Sequence, residues 1–315
     1  FFGYKLPKKV SQEYPGTSFL YVDSRSENWG EEENINSSKC AVSTTLQQYY
    51  DNKRQKEIFY IFYNDQFEAK KSKRSHKGHA KGVALFGGQS GFWLVHSVPQ
   101  FPSISKYYYV KNGEVYGQSF LCVSMNTKSV RVILEAMKYI QPNIYNERIP
   151  DYLKTEYAIL KKMLERKKNI PKLSNNSLVQ KFLSKGGESF ISFSKNGKFG
   201  SDLYANLIAV DLKSSLFAET WLNGGAVDLP SDCNSQYKVI NIEQVKIEGK
   251  TFNNSADHSK WAVGDNESLP VVCIADINRQ DSQTKRGGGA ICTLSKNIWK
   301  LYRELVRQLQ SCSII

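Results

Sequence analysis

The sequence predicts an α/β protein made of two similar halves, and three observations support this fold class. Apolar runs of strand length alternate with segments whose apolar residues recur at helical spacing. The length of 315 residues suits two units of about 150 residues each. Two histidine–lysine triplets, at residues 79–81 and 258–260, each lead directly into a short apolar strand. We therefore expect one half over residues 1–150 and the other over residues 151–315.

The first half contains four apolar runs of strand length followed by an amphipathic helix. Glycines at positions 87 and 88 separate the second run from the third, which indicates a hairpin. Apolar residues recur at helical spacing within residues 128–140, so this segment is predicted to be the helix. The four predicted strands cover residues 57–63, 82–86, 91–95 and 119–125.

The boundary between the halves is predicted between Pro142 and Ser177. Residues 142–150 interrupt the strand and helix patterns, residues 151–164 resume a helical pattern, and residues 170–177 are typical of a loop. The second half contains a glycine-rich loop at residues 286–289 and a closing amphipathic helix over residues 294–309. Its predicted strands cover residues 188–193, 237–247, 261–263 and 271–277.

The charge of the chain favours anionic partners. The net charge is +13, which suits nucleic acid, anionic lipid or glycosaminoglycan. Six of the basic residues lie in the run KKSKRSHKGHAK, residues 70–81, before and within the first triplet. The run is either a solvated loop or a set of phosphate contacts, and both interpretations stay open. No run of about 18 apolar residues occurs, so we predict no membrane span.

Cysteines and glycosylation sequons indicate a secreted or lumenal protein. Six widely spaced cysteines without a Cys-x-x-Cys pair suit disulfides better than a zinc or thioredoxin-type site. The chain opens Phe-Phe-Gly-Tyr, so we interpret it as a mature or trimmed form without its signal peptide. Asn-x-Ser sequons, which are glycosylation acceptors, occur at Asn36, Asn175, Asn253 and Asn266.

The two triplets are candidate catalytic units. Side chains alternate between the faces of an extended segment, so the histidine and lysine of each triplet share a face. Two such units around one phosphate would supply a nucleophile, a general acid and two positive charges without a metal ion. A single His-x-Lys is common by chance, and the assignment therefore depends on the segments around the triplets.

Those segments resemble the deoxyribonuclease II family of acid endonucleases. The longest is GFWLVHSVPQFP, residues 91–102, and DHSKW at residues 257–261 contains the second triplet. The matches follow one another in family order along nearly the whole chain. The shorter ones are residues 4–7, 63–66, 78–82, 116–118, 121–124, 198–200, 202–204, 276–279 and 286–289.

The resemblance implies a phospholipase D-like fold. In that fold, two α/β/α sandwich halves are related by a pseudo-twofold axis, and one triplet from each half meets the other at a central active site. The resemblance also implies that double-stranded DNA is cut at acidic pH without a metal or other cofactor, leaving 3′-phosphate ends. The implied catalytic residues are His258, Lys260, His79 and Lys81. Candidate substrate-binding residues are Lys77, His96 and Arg286.

Some of these assignments have structural alternatives. His96 is also consistent with a hydrogen-bonded structural histidine at a strand end, and the segment starting at Arg286 with a tight turn. Asp257 could orient a histidine or cap a turn, and turn or cap roles are favoured for Asp265 and Asp276. We expect the tryptophans next to the triplets, Trp93 and Trp261, to pack in the core.

The resemblance implies disulfides as well. The pairs are Cys233 with Cys312 and Cys273 with Cys292. Family members pair the cysteine at position 122 with one at the start of the mature chain, which this sequence lacks, whereas Cys40 is additional. The partner of Cys40 or Cys122 is therefore left open.

The residues suggest a mechanism through a phosphohistidine. One neutral imidazole attacks phosphorus, the opposite imidazolium protonates the leaving 5′ oxygen, and Lys81 and Lys260 hold the nonbridging oxygens. With an ordinary histidine pKa of about 6.5, this mixed state is best populated below neutral pH. Which histidine attacks is left open.

Two other functions compete with this hypothesis. The first is a catalytically silent secreted relative that binds DNA or a host ligand, and the intact histidines and lysines argue against it. The second is a phospholipase, which the matching segments disfavour. A homodimer is compatible with the sequence, but nothing in it decides the oligomeric state.

Overall fold

Two β-sheets, of eight and nine strands in the residues that the structure describes, form the framework of the protein. The computed structural model describes residues 1–67, 77–165, 173–223 and 225–312. The two sheets and the helices packed on them confirm the predicted α/β class. None of the helices in these residues is long and apolar enough to cross a membrane.

The first sheet uses strands from residues 2–148. They are β1 Phe2–Lys5, β2 Ser18–Val22, β3 Glu33–Asn34, β4 Phe59–Asn64, β5 Lys81–Gly87, β6 Ser90–His96, β7 Gln118–Asn126 and β8 Ile144–Arg148. Their order is β3-β2-β1-β7-β6-β5-β4-β8, and all neighbours are antiparallel. The hairpin predicted through residues 87–90 is β5–β6.

The second sheet uses strands from residues 177–309. They are β9 Ser177–Leu183, β10 Ser189–Lys195, β11 Leu216–Glu219, β12 Val239–Ile247, β13 Lys250–Asn253, β14 Trp261–Gly264, β15 Val272–Ala275, β16 Gly288–Thr293 and β17 Val306–Leu309. Their order is β13-β12-β11-β14-β15-β16-β10-β9, with β17 paired to β12. The β11–β12 pair is parallel. The division of the chain at residue 150 stays a prediction; β8 and β9, which flank it, belong to different sheets.

The helices pack against the sheets. They are α1 Ala41–Asn52, α2 Val130–Ile140, α3 Lys154–Leu164, α4 Ala209–Leu212, α5 Asp281–Thr284 and α6 Lys296–Leu305, with a π-helical turn at Tyr204–Ile208. The α6 helix begins at Ser295, whose side chain accepts a hydrogen bond from the amide of Ile298. Its apolar residues face β12 and β14. Helix α2 packs on β9 and β10, so an element of the first half covers the second sheet.

A shared hydrophobic core joins the two halves. It contains Trp93 and Ile133 from the first half and Trp261 and Ile291 from the second. Both tryptophans are almost fully buried, at 1% and 0% exposure, as expected from the sequence. Each sheet also has a core of its own, one under α1 and one under the π-helical turn. The halves are therefore fused through apolar packing that holds their relative position.

The two sheets follow similar strand paths around the triplets. The path β8-β4-β5-β6-β7-β1-β2 in the first sheet corresponds to β12-β11-β14-β15-β16-β10-β9 in the second. The strand that follows a triplet, β5 or β14, occupies the same place in both paths. The strand that each triplet leads into therefore has equivalent neighbouring strands in the two sheets.

Three segments differ from their predictions. Residues 142–150 contain the strand β8, which is flanked by Pro142 and Pro150. This strand pairs with β4 at the edge of the first sheet. Residues 286–289 are not wholly loop, because β16 begins at Gly288 and pairs with β10. The helix predicted to continue to residue 309 ends at Leu305, and Val306–Leu309 turns into β17 because β12 offers a strand partner there.

Both disulfides implied by the resemblance are present. One joins Cys233 to Cys312, and the other joins Cys273 to Cys292 across the neighbouring strands β15 and β16. Cys40 and Cys122 are buried thiols that do not pair with each other. The sulfur of Cys40 accepts the amide hydrogen bond of Ser43 and so caps α1.

Candidate active site

All four predicted catalytic side chains are buried. His79 and His258 are 6% and 4% exposed, and both lysines, Lys81 and Lys260, are less exposed still. Lys260 is close enough to lower the pKa of His79, and Lys81 that of His258. The structure therefore places the two triplets near each other, and their catalytic roles stay a prediction.

Backbone hydrogen bonds cross between the halves at this site. The amide of His79 donates to the carbonyl of Gly287 at 2.8 Å, and the amide of His258 donates to the carbonyl of Gly117 at 2.9 Å. A Cβ atom at Gly117 would lie 2.2 Å from a carboxylate oxygen of Asp257, and one at Gly287 would lie 2.1 Å from the carbonyl oxygen of Ile140. Only glycine permits this close approach, which places each histidine against the other half.

The same ring nitrogen of both histidines is hydrogen-bonded to an oxygen. Nδ1 of His79 lies 2.6 Å from the carbonyl oxygen of Asp276, and Nδ1 of His258 lies 3.2 Å from Oε1 of Gln118. A carbonyl oxygen can only accept, so Nδ1 carries the proton and a neutral ring has its lone pair on Nε2. In this tautomer each neutral imidazole has only Nε2 available as a nucleophile or base.

Asp65 lies beside two cations, Lys81 and Arg286, and beside the imidazole of His79. Its carboxylate lies 2.5 Å from Nζ of Lys81, 3.4 Å from the guanidinium of Arg286 and 3.9 Å from Nε2 of His79. Burial opposes ionisation, but Lys81, His79 and Arg286 hold the pKa of Asp65 well below its ordinary value. Asp65 is therefore ionised and fixes the positions of these cations.

Lys260 is held by the backbone instead of by a carboxylate. Its Nζ donates to the carbonyl of His258 at 2.8 Å, and its amide donates to the hydroxyl of Ser119 at 3.2 Å. Burial, together with the charge of Lys81, lowers the pKa of Lys260 to about 7. Lys260 is therefore fully charged only in acid. The sequence-based mechanism, in contrast, treats both lysines as positively charged at every pH.

Neither histidine has the ordinary pKa assumed in the sequence-based mechanism. Burial lowers the pKa of His79 well below 6.5, and the charge of Lys81 lowers it further. Burial and Lys260 do the same for His258. In the absence of substrate both rings are neutral near pH 7, and a bound anion is needed to favour protonation of one of them.

Asp276 belongs to the site, although turn or cap roles were favoured for it. Burial raises the pKa of Asp276 to about 7, against the opposing charge of Lys81. Its carboxylate accepts a hydrogen bond from the amide of Gly289 at 3.2 Å. Below pH 7 this carboxyl group becomes neutral, so the site loses a negative charge in acid.

The other predicted site residues occupy different surroundings. Arg286 donates to the carbonyl of Lys77 at 3.1 and 3.2 Å, and Lys77 donates to the carbonyl of Leu164 at 2.8 Å. His96 is buried between the rings of Phe101 and Phe120, and its Nδ1 accepts from the amide of Val98. This packing fits the structural interpretation of His96, and substrate binding by the three residues stays a prediction.

Two further sequence-based predictions concern the turns around the triplets. Asp257 does not orient a histidine; it accepts hydrogen bonds from the hydroxyl of Tyr4 and from the amide and hydroxyl of Ser259, which fixes the turn at the second triplet. The basic run begins outside the described residues, because residues 68–76, including His76, are not among them. Its role in phosphate contact stays a prediction.

Sequence reasoning missed three residues of the site. Asp65 directly follows β4, Gln118 begins β7, and Trp221 lies two residues after β11. The ring of Trp221 packs edge-on to that of His258, with centroids 4.8 Å apart. The turn signal at Asn64-Asp65 could have indicated Asp65, but the positions of the other two follow only from strand pairing between distant segments.

Two buried imidazoles with two lysines around them are groups that can perform phosphoryl transfer. Comparison with known proteins agrees with this class. The sequence model of the family described as Deoxyribonuclease II matches residues 1–312.

Curated relatives match along nearly the whole chain. Cell-death-related nuclease 7 of Caenorhabditis elegans is 37% identical over 310 residues, covering 98% of this chain and 84% of its own length. Deoxyribonuclease-2-alpha of Rattus norvegicus is 35% identical over 321 residues, covering 98% and 90%. Plancitoxin-1 of Acanthaster planci is 35% identical over 326 residues, covering 99% and 89%. The chain belongs to the deoxyribonuclease II family and is a nuclease of that type.

Proposed function

We propose that this protein is an acid endodeoxyribonuclease that hydrolyses double-stranded DNA without a divalent metal, through a phosphohistidine, and leaves 3′-phosphate ends. The observation that carries the proposal is the pair of buried imidazoles, each with its Nδ1 hydrogen-bonded to an oxygen and its Nε2 left for chemistry. Two lysines within the same site neutralise the phosphate, so the residues themselves supply the positive charge.

The surroundings of the two rings favour different roles. The carboxylate of Asp65 lies 3.9 Å from Nε2 of His79 and favours a proton there, whereas Nδ1 of His258 faces the neutral side chain of Gln118. We therefore assign His258 as the nucleophile and His79 as the general acid.

The reaction then has two balanced steps. Nε2 of His258 forms a bond to phosphorus, the bond from phosphorus to the 5′ oxygen breaks, and His79 gives its Nε2 proton to that oxygen. His79 next takes a proton from water, whose oxygen attacks phosphorus as the phosphorus–nitrogen bond breaks. The phosphate stays on the 3′ oxygen of the product, and His258 is regenerated.

The arrangement proposed for the whole fold is phospholipase D-like. The matching strand paths of the two sheets support a pseudo-twofold relation between the halves. So do the reciprocal hydrogen bonds from His79 to Gly287 and from His258 to Gly117. In this arrangement Lys81 and Lys260 face one phosphate from opposite sides.

Three groups favour activity in acid. The general acid must be protonated, and burial lowers the pKa of His79. Lys260, with a pKa of about 7, gains its charge as pH falls, and Asp276, also with a pKa of about 7, loses its charge. Each change makes the site more attractive to an anionic phosphate. Activity is therefore expected to fall as pH rises through about 7.

The protein is proposed to act in lysosomes or after secretion. The sequon asparagines Asn36, Asn175, Asn253 and Asn266 are all exposed, so they are accessible to glycosylation. Two disulfides suit an oxidising compartment. An acidic compartment would also supply the protonation state that the site needs.

A plasmid-nicking assay in EDTA, at pH values from about 4 to about 8, tests this function. We expect nicking to be strongest in acid, the new ends to carry 3′-phosphate, and His258→Ala and His79→Ala each to abolish the activity. Activity that survives either substitution would contradict the site assignment. Tight DNA binding without nicking at any of these pH values would favour the catalytically silent alternative.

A further inference from the structure

An aromatic pair borders the active site on the side of His258. The rings of Trp221 and Tyr116 lie 5.5 Å apart between centroids, and Trp221 lies 4.8 Å from the imidazole of His258. Both residues are only partly buried. Large, partly exposed aromatic rings beside the candidate site offer faces for a planar ligand.

The environment of Trp221 differs from that of the core tryptophans near the triplets. The indole N–H of Trp93 donates to the hydroxyl of Tyr63 at 3.0 Å, and that of Trp261 donates to the hydroxyl of Tyr4 at 3.3 Å. The buried indole nitrogen of Trp221 has no acceptor among the described residues. Such a donor beside the reacting histidine is available for a ligand atom.

Strand register gives Trp221 a counterpart in the first half. Tyr63 pairs with the residue after Lys81, and Glu219 pairs with the residue after Lys260. Two positions further along the chain, just beyond these strands, lie Asp65 and Trp221. The two therefore occupy equivalent places, and an ionised carboxylate on one side of the site corresponds to an indole on the other.

The partners of these two residues are equivalent as well. Arg286 precedes Gly287 and contacts Asp65, whereas Tyr116 precedes Gly117 and contacts Trp221. Buried lysines hold both segments in place: Lys195 donates to the carbonyl of Arg286, and Lys5 to that of Tyr116. The same scaffold therefore presents a charged pair on one side of the scissile position and an aromatic pair on the other.

We propose that Trp221 and Tyr116 form a nucleobase subsite, which stacks the base of one nucleotide adjoining the scissile phosphate. The inference rests on the proposed function. Aromatic side chains stack on every base because each base has a π-face, so the subsite is tolerant of sequence. The charged pair on the opposite side suits the sugar–phosphate backbone. The nucleotides on the two sides of the cut are therefore held by different forces.

The test uses short thymidine strands in which methylphosphonate links replace every phosphodiester except one. Two further strands each lack one base, on one or the other side of the cleavable bond. The wild-type protein is compared with Trp221→Leu, Tyr116→Leu and the ring-retaining Trp221→Phe. Tyr152→Leu is the matched control, because Tyr152 is an aromatic residue 51% exposed and away from the site. Cleavage gives kcat/KM, fluorescence anisotropy gives binding, and thermal melting checks folding.

We expect removal of one of the two bases to lower the kcat/KM of the wild-type protein about tenfold. Trp221→Leu should lower kcat/KM on the intact strand by the same factor. Its kcat/KM should not fall further on the strand without the base. Trp221→Phe should restore most of the base dependence, and Tyr152→Leu should behave as wild type.

Two outcomes would overturn the subsite. One is equal cleavage of all three strands by the wild-type protein. The other is a base dependence that Trp221→Leu and Tyr116→Leu leave unchanged. Failure of the proposed function is distinguishable, since the wild-type protein would then leave plasmid DNA unnicked in EDTA as well as the intact strand uncut. In that case fluorescence anisotropy still tests the subsite. The wild-type protein should bind the intact strand more tightly than the strand without the base, and Trp221→Leu should bind the two equally.

Discussion

Asp65 shows how one side chain organises its side of the active site. Its carboxylate contacts Lys81 and Arg286, and it lies near the reactive nitrogen of His79. It contacts cations of the site, but in the proposed mechanism it does not itself touch the substrate. Asp65 is therefore a positioning residue, which also sets how readily His79 holds its proton.

Replacing Asp65 tests this role. The carboxylate raises the pKa of His79, so Asp65→Asn should lower that pKa and move the alkaline limb of the activity profile down by about one pH unit. The measurement is kcat/KM against pH for DNA nicking. Asp281→Asn is the control, because Asp281 is exposed and pairs only with Lys285 among the ion pairs of the described residues. A lower rate with an unshifted profile would mean that Asp65 is merely structural.

Asp276 is expected to lower activity as pH rises, whereas Asp65 is expected to extend activity to higher pH. Its pKa of about 7 means that a negative charge appears in the site as pH rises through neutrality. Asp276→Asn removes that charge while an amide oxygen can still accept from Gly289. We expect kcat/KM to decline less steeply between about pH 6 and pH 8 than in the wild-type protein. An identical decline would show that Asp276 does not contribute to the acid preference.

At the scale of elements, the starts of β7 and β16 position the candidate site. Gly117 and Gly287 immediately precede β7 and β16, and their carbonyls accept from the two histidine amides. Neither position has room for a Cβ atom. The geometry of the candidate site therefore depends on how closely the starts of β7 and β16 approach the opposite triplet.

Gly117→Ala should disturb that approach. The new methyl group meets the carboxylate of Asp257, so we expect the free energy of unfolding to fall by about 1–3 kcal/mol and nicking to weaken. Urea denaturation and the nicking assay measure the two effects. Gly186→Ala is the matched control, because its Cβ would meet its nearest neighbour at 3.7 Å. Equal stability of the two variants would contradict the steric argument.

The elements that the sequence predicts well are those with a strong local pattern. The aromatic strand β4, the β5–β6 hairpin and helix α2 lie within a few residues of their expected bounds. Helix α1 was missed because it is rich in Ser, Thr and Gln and buries few apolar side chains. Strand β17 was missed because Leu305 and Leu309 continue a helical pattern that pairing with β12 overrides.

The site was predictable only in part, for a similar reason. The triplets could be recognised because they are contiguous and lie within family segments. Gln118, Asp276 and Trp221 enter the site through pairing between strands far apart in sequence. Two of them lie in family segments, but nothing local to the sequence shows that their side chains reach the site. The pKa changes of His79 and His258 arise from burial and from opposing lysines, which only the folded chain creates.

For the whole molecule, buried cations make stability depend on pH. Burial lowers the pKa values of Lys5 and Lys260 to about 7 and that of Lys195 to about 8. Between these values and the ordinary 10.5, the unfolded chain binds more protons, so stability rises with pH. The lowered pKa values of the two histidines act in the same direction below 6.5, and the raised pKa of Asp276 opposes them.

We therefore expect the protein to melt at a higher temperature near pH 9 than near pH 5. Circular dichroism at constant ionic strength measures this difference. Lys195→Met should reduce it, because it removes one of the buried cations, whereas substitution of the exposed Lys285 should not. A melting temperature that falls from about pH 5 to pH 9 would contradict the expectation.

The hydrogen bonds that join the triplets to the opposite half also bear on the order of folding. The contact from His79 to Asp276 spans 197 residues, and that from His258 to Gln118 spans 140. Contacts of such sequence separation form late, because long loops must close before they give any stability. Each sheet can acquire its strands while the nuclease is still inactive. On refolding, we expect ellipticity to recover first and DNA nicking to lag behind it, so the chain becomes able to cut DNA only in its last folding step.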